Sequence, residues 1–332
     1  MSGRHLTRTR VTLALVAALA DGRLVVGPDG SPPTTELPPD EEQSSAVRRL
    51  EDRLGLSHDA MPRMAACDLA GGENDTVTEH RIMWRGPLPA SWTAPTPYRT
   101  VPVGQALAAL RQREAGRVRA ACRAGLLGDT VRLHCGRRPG IRPSKAERTG
   151  ARFAWHPAIH VPEGHPVRQV WGWLTDPDGR VLVLLDRFGA PSLPGGQPEP
   201  GENWADAMAR EAAEESSACL GAPVLLGFQQ VDEHNQAPYA QLRMTAPLLG
   251  LGPAAPDPDS GETYRRVLVP ARQANLLLGW GPEGDAQVAA VTDHCRTLPS
   301  AALRCVPERG WAPASAEEVP GQVSGPRARP GR

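Results

Sequence analysis

The stretch 195–218 joins a glycine-rich loop to a segment dominated by alanine and glutamate, which predicts a loop that runs directly into a helix. Asn203 is a favourable N-cap residue, and Asp206 three residues later places a negative charge at the positive end of the helix dipole. The alanines that follow are strong helix formers. The sequence therefore predicts a helix that begins after Asn203.

Three acids of this helix fall within five residues: Glu211, Glu214 and Glu215, here named the acid cluster. With 3.6 residues per turn, Glu211 and Glu215 lie on one face, and Glu214 lies beside them. Like charges at this spacing repel one another, so a helix that keeps them is expected to have a cation nearby. Converging carboxylate oxygens suit Mg²⁺ or Mn²⁺.

The loop and helix together resemble the Nudix box, whose pattern is G-x5-E-x7-R-E-U-x-E-E-x-G-U, with U a bulky apolar residue. A solvated surface helix is the alternative, but the upstream glycine and the fixed offsets disfavour it. Ser217 replaces the final glycine, so either Ser217 adopts the left-handed conformation at a cost of about 1 kcal/mol or the helix continues to Gly221. The positions that match in type and spacing are Gly196, Glu202, Arg210, Glu211, Glu214 and Glu215.

The resemblance implies a divalent-metal site built on this helix. Glu211 and Glu215 would ligate Mg²⁺ or Mn²⁺, and Glu214 would ligate the metal or orient a bound water. The backbone of Gly195 and Gly196 would approach the metal or the phosphate, because glycine has no Cβ. Gly196 is thus a further candidate metal contact.

The remaining box residues are expected to position the acid cluster. Arg210 would pair with one of its acids, and Glu202 would fix the loop against the helix through a similar pair. The general base has two candidates, Glu211 and an acid from a distant loop. Glu262, in the Pro/Gly-rich segment 252–263, is the predicted remote acid, against the alternative that it is a solvated loop residue.

The resemblance implies an enzyme that hydrolyses a pyrophosphate bond in a nucleoside diphosphate linked to another moiety, such as a nucleotide, sugar nucleotide or dinucleotide. The alternative is a non-catalytic, Nudix-derived nucleotide sensor or interaction module. The intact acid cluster favours the enzyme, because a binding module does not need three mutually repelling carboxylates. No subgroup signature outside the box specifies the substrate.

The first half of the chain resembles a degenerate copy of the second. Segments 11–27 and 170–186 each read as an apolar strand, an Asp-Gly turn and a second apolar strand. At the acid positions the first copy has Arg49, Asp52 and Arg53, so two of three carboxylates have become cations that repel a metal. The first copy is therefore predicted to be non-catalytic and to act as an intrachain pseudo-dimer partner. Other matched segments are 48–56 with 210–218, 97–102 with 263–270, and predicted helices near 104–112 and 271–278.

These patterns predict an α/β (α+β) protein, a Nudix-type α/β/α sandwich with a mixed sheet in two tandem copies. The predicted divisions are a degenerate Nudix-like domain at 1–135, a linker at 136–165, a Nudix hydrolase domain at 166–311 and a compositionally disordered tail at 312–332.

Composition argues against two classes of binding partner. The 37 basic and 37 acidic residues give zero net charge, which does not favour nucleic acid or an anionic membrane as a partner. Six cysteines without C-x-x-C spacing indicate reduced thiols and a cytoplasmic location. The apolar run Val11–Ala20 imitates a signal peptide, but the repeat favours a strand there, and no segment is long enough to span a membrane.

Overall fold

The computed structural model describes residues 8–71, 76–133, 150–160, 163–234, 236–297 and 317–318, and contains two mixed β-sheets flanked by helices. The α/β class predicted from the sequence is confirmed. The first half comprises β1 (Arg8–Leu19), β2 (Arg23–Val26), β3 (Thr34–Leu37), α1 (Gln43–Arg53), β4 (Arg63–Gly71), β5 (Thr76–Leu88), β6 (Arg99–Pro102), α2 (Val103–Ala109), α3 (Gln112–Leu127) and β7 (Val131–Leu133).

The second half contains the glycine-rich loop and the acid-bearing helix, α4. Its elements are β8 (Arg152–Pro157), β9 (Val167–Thr175), β10 (Arg180–Leu185), β11 (Pro191–Ser192), β12 (Gly195–Gly196), α4 (Trp204–Ser216), β13 (Ala218–Leu220), β14 (Val224–Asp232), β15 (Tyr239–Leu251), β16 (Arg265–Pro270), a 3₁₀ turn (Ala271–Gln273), α5 (Ala274–Leu278), α6 (Gly281–Thr297) and β17 (Glu317–Glu318).

The two sheets share one strand order. The first runs β6-β2-β1-β5-β4 and the second runs β16-β10-β9-β15-β14. In each, the central pair is parallel, β1 with β5 and β9 with β15, and a short strand adds to the first of them, β3 to β1 and β12 to β9. At the β4 and β14 end the sheets differ, because β7 is parallel to β4 but β8 is antiparallel to β14.

The Asp-Gly turns that suggested a repeat are built alike. Asp21 accepts a hydrogen bond from Arg23 Nε at 2.8 Å, and Asp176 accepts one from Arg180 Nε at 2.7 Å. The carbonyl of the turn glycine also accepts from the residue after the β6 or β16 proline, 3.3 Å from Val103 in the first half and 3.1 Å from Ala271 in the second. The two turns thus share an aspartate–arginine pair and a contact of the glycine carbonyl, although the aspartate lies two residues before the arginine in the first half and four residues before it in the second.

The two faces of each sheet pack against different elements. One face of the first sheet packs against α1 through Leu13, Leu15 and Leu50, and one face of the second packs against α4 through Val170, Met208 and Leu242. The opposite faces meet in a single shared core that also takes in α2, α3, α5 and α6. Burial of this apolar surface joins the two halves of the chain.

Hydrogen bonds between the halves pair with backbone N–H and C=O groups at the ends of helices. Arg123 of α3 donates to the C-terminal carbonyls of α5, 2.9 Å from Leu277 O and 3.2 Å from Leu278 O. Asp285 of α6 accepts from the backbone N–H of Gln105 in the first turn of α2, at 3.2 Å. Helix α2 has no side-chain cap of its own, so the second half supplies one.

Two of the predicted divisions contain strands. The predicted linker 136–165 contains β8, which pairs with β14 along the edge of the second sheet, because Phe153 packs beside the buried Val231. Within the predicted tail 312–332, Glu317–Glu318 pairs in parallel with β16, and residues 134–149, 312–316 and 319–332 lie outside the described residues. Among the helices that the structure describes, none has both the length and the apolar character needed to cross a membrane.

Candidate active site

The glycine-rich loop and α4 are held together by backbone pairing and a helix cap. Gly195 and Gly196 form β12, which pairs with β9. The Asn203 side chain accepts hydrogen bonds from the backbone N–H groups of Ala205 at 3.0 Å and Asp206 at 2.9 Å, as an N-cap does. The helix therefore begins where the sequence predicts, with its apolar face on the second sheet.

Two acids of the acid cluster lie directly against the loop glycines. Gly195 donates its backbone N–H to Glu215 Oε2 at 2.7 Å. A Cβ on Gly196 would lie 2.5 Å from both carboxylate oxygens of Glu211, which is 8% exposed. A side chain at this position would displace the Glu211 carboxylate, so the loop backbone lies directly against this acid.

Arg210 connects the loop to the acid cluster. Its Nε donates to Glu202 Oε1 at 3.0 Å, and one terminal nitrogen donates to Glu214 Oε2 at 2.8 Å. The other terminal nitrogen lies 3.1 Å from Glu211 Oε1 and donates to Gln197 O at 3.1 Å. These bonds, led by the one to Glu202, raise the pKa of Arg210. Arg210 orients the acids, and Glu202 ties the loop to the helix.

Burial disfavours the charged forms of two cluster acids. It raises the pKa of Glu215 to about 8, with further contributions from Glu211 and Asp257. Burial also raises the pKa of Glu211, and the negative charges of Glu214 and Asp259 raise it further. Arg210 acts in the opposite direction and lowers this pKa. Such carboxylates are stabilised by a nearby cation.

Asp257 and Asp259 belong to the loop 252–264, here named the acid loop, and the sequence reasoning missed both. The acid loop joins β15 to β16, and the buried Asp257 carboxylate accepts from the N–H groups of Asp259 at 2.9 Å and Ser260 at 2.6 Å. The Asp-Pro-Asp sequence between two strands was the available signal.

The structure gives Glu262, the predicted remote acid, a different partner. Its Oε1 accepts a hydrogen bond from the backbone N–H of Arg187 at 2.6 Å. The charge of Asp257 contributes to the raised pKa of Glu215, and the charge of Asp259 contributes to the raised pKa of Glu211. Glu262 remains a prediction as a catalytic acid.

The donor set fits a hard divalent cation by its chemistry, because Glu211, Glu214 and Glu215 offer carboxylate oxygens beside the Gly196 backbone. Within the part of the chain that the structure describes, no three His, Cys, Asp or Glu side chains already form a metal-holding group. The reason is local: Arg210 engages Glu214, and the Gly195 amide engages Glu215.

The corresponding helix of the first half, α1, has different contacts. Arg53 stands where the sequence alignment places Glu215, and it donates to Thr34 O of β3 at 3.1 Å. Asp52 pairs with His58 at 2.9 Å, and Arg49 pairs with Glu41. In the first half a guanidinium therefore contacts β3, whereas in the second half a carboxylate contacts β12. The positive charge in the first half disfavours a metal ion.

Ser217 ends α4 in the left-handed conformation, with φ 51°, which decides between the two alternatives that the sequence left open. Its N–H bonds to Ala213 O at 2.9 Å, and Arg266 donates to the neighbouring Ser216 O at 2.9 Å. Gly55 occupies the matching end of α1 with φ 61°.

Because a non-glycine residue is strained in this conformation, Ser217→Gly is expected to raise the free energy of unfolding by about 1 kcal/mol. Urea denaturation would measure the gain. Gly55→Ser should lose a similar amount at the matching position, and a Ser217→Gly protein less stable than wild type would contradict the strain.

Comparisons with known proteins found one matching family model and several similar solved structures. A protein-family model described as a NUDIX domain matches residues 165–288. A NUDIX hydrolase structure from Nitrosomonas europaea is 18% identical, with a TM-score of 0.33, over 40% of this chain and 93% of that chain. An Ap4A hydrolase from C. elegans is 16% identical, with a TM-score of 0.30, over 40% of this chain and 99% of that chain.

A Bacillus subtilis pyrophosphohydrolase is 21% identical, with a TM-score of 0.27, over 30% of this chain and 61% of that chain, so less than two thirds of its length is covered. A search of curated proteins found no match.

Proposed function

We propose that residues 165–288, which match the NUDIX-domain model, form a Nudix-type hydrolase domain that cleaves a pyrophosphate bond in a nucleoside diphosphate linked to another moiety, with Mg²⁺ or Mn²⁺. The observation that carries this proposal is the contact between the loop glycines and the acid cluster, in which Gly195 N–H meets Glu215 and the Gly196 backbone meets Glu211.

Glu211, Glu214, Glu215 and the Gly196 carbonyl are the groups proposed to hold the metal. When bound, the metal supplies charge neutralisation of the diphosphate and lowers the pKa of a coordinated water. Arg210 holds Glu214 and Glu211 in place through the contacts described above. Glu202 keeps Arg210 from turning into solvent through two hydrogen bonds, at 3.0 and 3.1 Å.

Two residues are proposed for proton transfer. Glu211 is mostly buried and has a raised pKa, so it takes up a proton from water more readily than an ordinary glutamate. Asp259 lies close enough for its charge to raise that pKa, and it is exposed on a loop that leads away to solvent. We propose Asp259 as the remote acid in preference to Glu262.

A screen for Mg²⁺-dependent phosphate or nucleotide release tests the proposal on the full chain. Its panel contains nucleoside triphosphates, sugar nucleotides and dinucleotides. Hydrolysis that requires the divalent metal is the expected result. A protein that binds these compounds without turnover would be a nucleotide-binding module instead.

We further propose that the first half is a non-catalytic Nudix-like copy. Its strand order matches that of the second sheet, and its α1 carries Arg53 where the alignment places Glu215. The shared core and the exchanged helix caps support its role as an intrachain pseudo-dimer partner.

The raised pKa of Glu215 gives the metal-free protein a defined pH dependence. Between its ordinary value of 4.5 and about 8, the folded state holds this proton more tightly than the unfolded state. The free energy of unfolding therefore falls as pH rises through that window. We expect the free energy of unfolding to fall by about 4 kcal/mol in EDTA between about pH 5 and pH 8.5, measured by urea denaturation.

Glu215→Gln should flatten this decline, and Mg²⁺ should offset it at the alkaline end, because a ligand that binds only the folded state stabilises it. An unchanged slope in Glu215→Gln would show that another group titrates.

A further inference from the structure

Strands β3 and β12 occupy the same place in their two sheets. Ala14 of β1 lies eight residues before the glycine of the first Asp-Gly turn and pairs with Thr34 of β3. Trp171 of β9 lies eight residues before the glycine of the second Asp-Gly turn and pairs with Gly195 of β12. Thr34 therefore stands in the first sheet where Gly195 stands in the second.

The helices α1 and α4 contact these two strands from the same position. Arg53 lies two residues before the left-handed residue at the end of α1, and Glu215 lies two residues before the one at the end of α4. Arg53 donates a hydrogen bond to Thr34 O at 3.1 Å. Glu215 accepts one from the Gly195 N–H at 2.7 Å. The same helix position thus contacts the same strand position, but with the opposite charge.

Two more arginines precede Arg53 on α1, and the three, here named the arginine site, are Arg48, Arg49 and Arg53. All three residues are exposed, and Arg49 and Arg53 lie one turn apart on the same face of the helix. Counted back from the ends of the two helices, Arg49 corresponds to Glu211 and Arg48 corresponds to Arg210. The first half therefore has three cations where the second half has one cation and two acids.

Neighbouring acids neutralise the arginine site only in part. Arg49 pairs with Glu41, and the side chains are 47% and 19% exposed. Asp52 of the same helix pairs with His58 at 2.9 Å. Arg53 donates to a neutral carbonyl, and within the described parts of the chain neither Arg48 nor Arg53 has a carboxylate partner. An anion that binds here would neutralise charge that the fold itself leaves unpaired.

The two halves differ in how they can attract a phosphate. In the second half the acid cluster repels an anion until a divalent cation binds to it. Guanidinium groups attract a phosphate directly, and their planar N–H groups match pairs of phosphate oxygens. The replacement of two acids by arginines therefore removes the metal but keeps an attraction for phosphate.

We propose that the arginine site binds a diphosphate group without a metal ion. The choice of a diphosphate rests on the proposed function, because the equivalent positions of α4 are those proposed to hold the metal that binds it. Without a metal no water is activated, so the diphosphate is bound but not hydrolysed. The first half then contributes a second binding site of its own, in addition to the contacts that join it to the second half.

Calorimetric titration of the full chain with methylenediphosphonate, a non-hydrolysable diphosphate, tests the arginine site. The titration is made in EDTA at constant ionic strength, because without a metal the acid cluster repels the probe. The signal then comes from the first half. The wild-type chain is expected to bind the probe, and Arg49→Gln combined with Arg53→Gln is expected to weaken that binding about tenfold or more.

Glu41→Gln is expected to change the affinity in the opposite direction. It removes the carboxylate that pairs with Arg49, so the probe should bind about threefold more tightly. Damage to the fold would not produce tighter binding. Arg111→Gln combined with Arg152→Gln is the matched control, since it also removes two exposed arginines, at positions outside α1 and β3, and it should keep wild-type affinity.

Three results would overturn the proposal: wild-type protein that does not bind the probe in EDTA, unchanged affinity in the Arg49/Arg53 double variant, or an equal loss in the Arg111/Arg152 control. Failure of the proposed function is separable, because the hydrolysis screen requires Mg²⁺ and this titration excludes it. A chain that binds the probe through Arg49 and Arg53 but releases no product in the screen has the arginine site without the enzyme.

Discussion

Glu214→Gln combined with Glu215→Gln is expected to lower kcat for pyrophosphate hydrolysis by about 1,000-fold or more, which corresponds to about 4 kcal/mol of transition-state stabilisation. Both carboxylates lie on one side of α4, with Glu215 against the Gly195 amide and Glu214 against Arg210. Glutamine keeps the shape and the ability to accept a hydrogen bond but removes the negative charge that holds a divalent cation. Initial rates at saturating Mg²⁺ would measure the loss.

The loss must come from the position of these charges rather than from their number. Asp178→Asn combined with Asp293→Asn also removes two negative charges, at side chains that are 76% and 71% exposed. This control should keep wild-type activity. Activity that persists in the Glu214/Glu215 double variant would show that the reaction takes place elsewhere on the chain, and circular dichroism of each variant would exclude unfolding as the cause.

The helix and its loop could be predicted from sequence because their determinants are local. Asn203 caps the helix, alanines favour it, and the one-turn spacing brings Glu211 and Glu215 to one face. The pairing of Arg210 with Glu202 follows from the same logic, since the loop must return to the helix that it precedes. Short-range chemistry fixes all of these features.

The acid loop could not be placed in the same way. Asp257 and Asp259 are more than forty residues from Glu211 in the chain. The pairing of β16 with β10 and the hydrogen bond from Gly252 N–H to Ser217 O bring their loop to the acid cluster. Glu262 is a carboxylate of the same loop, yet it accepts a hydrogen bond from the backbone N–H of Arg187 instead. Which of several loop acids points inward depends on tertiary contacts that composition does not encode.

The proposed repeat is an intermediate case. The Asp-Gly turns suggest a parallel between the halves, and the two sheets have a common order of five strands. The contact between the two halves could not be predicted from the sequence, because Asp285 and Gln105 are separated by 180 residues and neither belongs to a recognisable motif. Likewise, Phe153 lies in a strand because β8 pairs with β14 at the edge of the second sheet.

Gly104→Ala is expected to lower the free energy of unfolding by about 3 kcal/mol, although it replaces a glycine in a helix with the best helix former. A Cβ at this position would lie 2.0 Å from Gly281 O and 2.5 Å from Asp285 Oδ2, across the contact between the halves. Backbone atoms cannot move aside as a flexible side chain would, so α2 must separate from α6. Urea denaturation followed by tryptophan fluorescence would measure the loss.

Gly116→Ala is the matched control, because Gly116 lies in the neighbouring helix α3 and a Cβ there meets nothing within 4 Å. This change should raise the free energy of unfolding by up to about 1 kcal/mol through helix propensity.

If both alanine variants stabilise the chain, the halves are not tightly joined. If a fragment comprising residues 150–312 is as stable and as active as the full chain, the pseudo-dimer role of the first half is wrong. A loss confined to Gly104→Ala, with full activity while the protein remains folded, would identify the first half as a scaffold for the site.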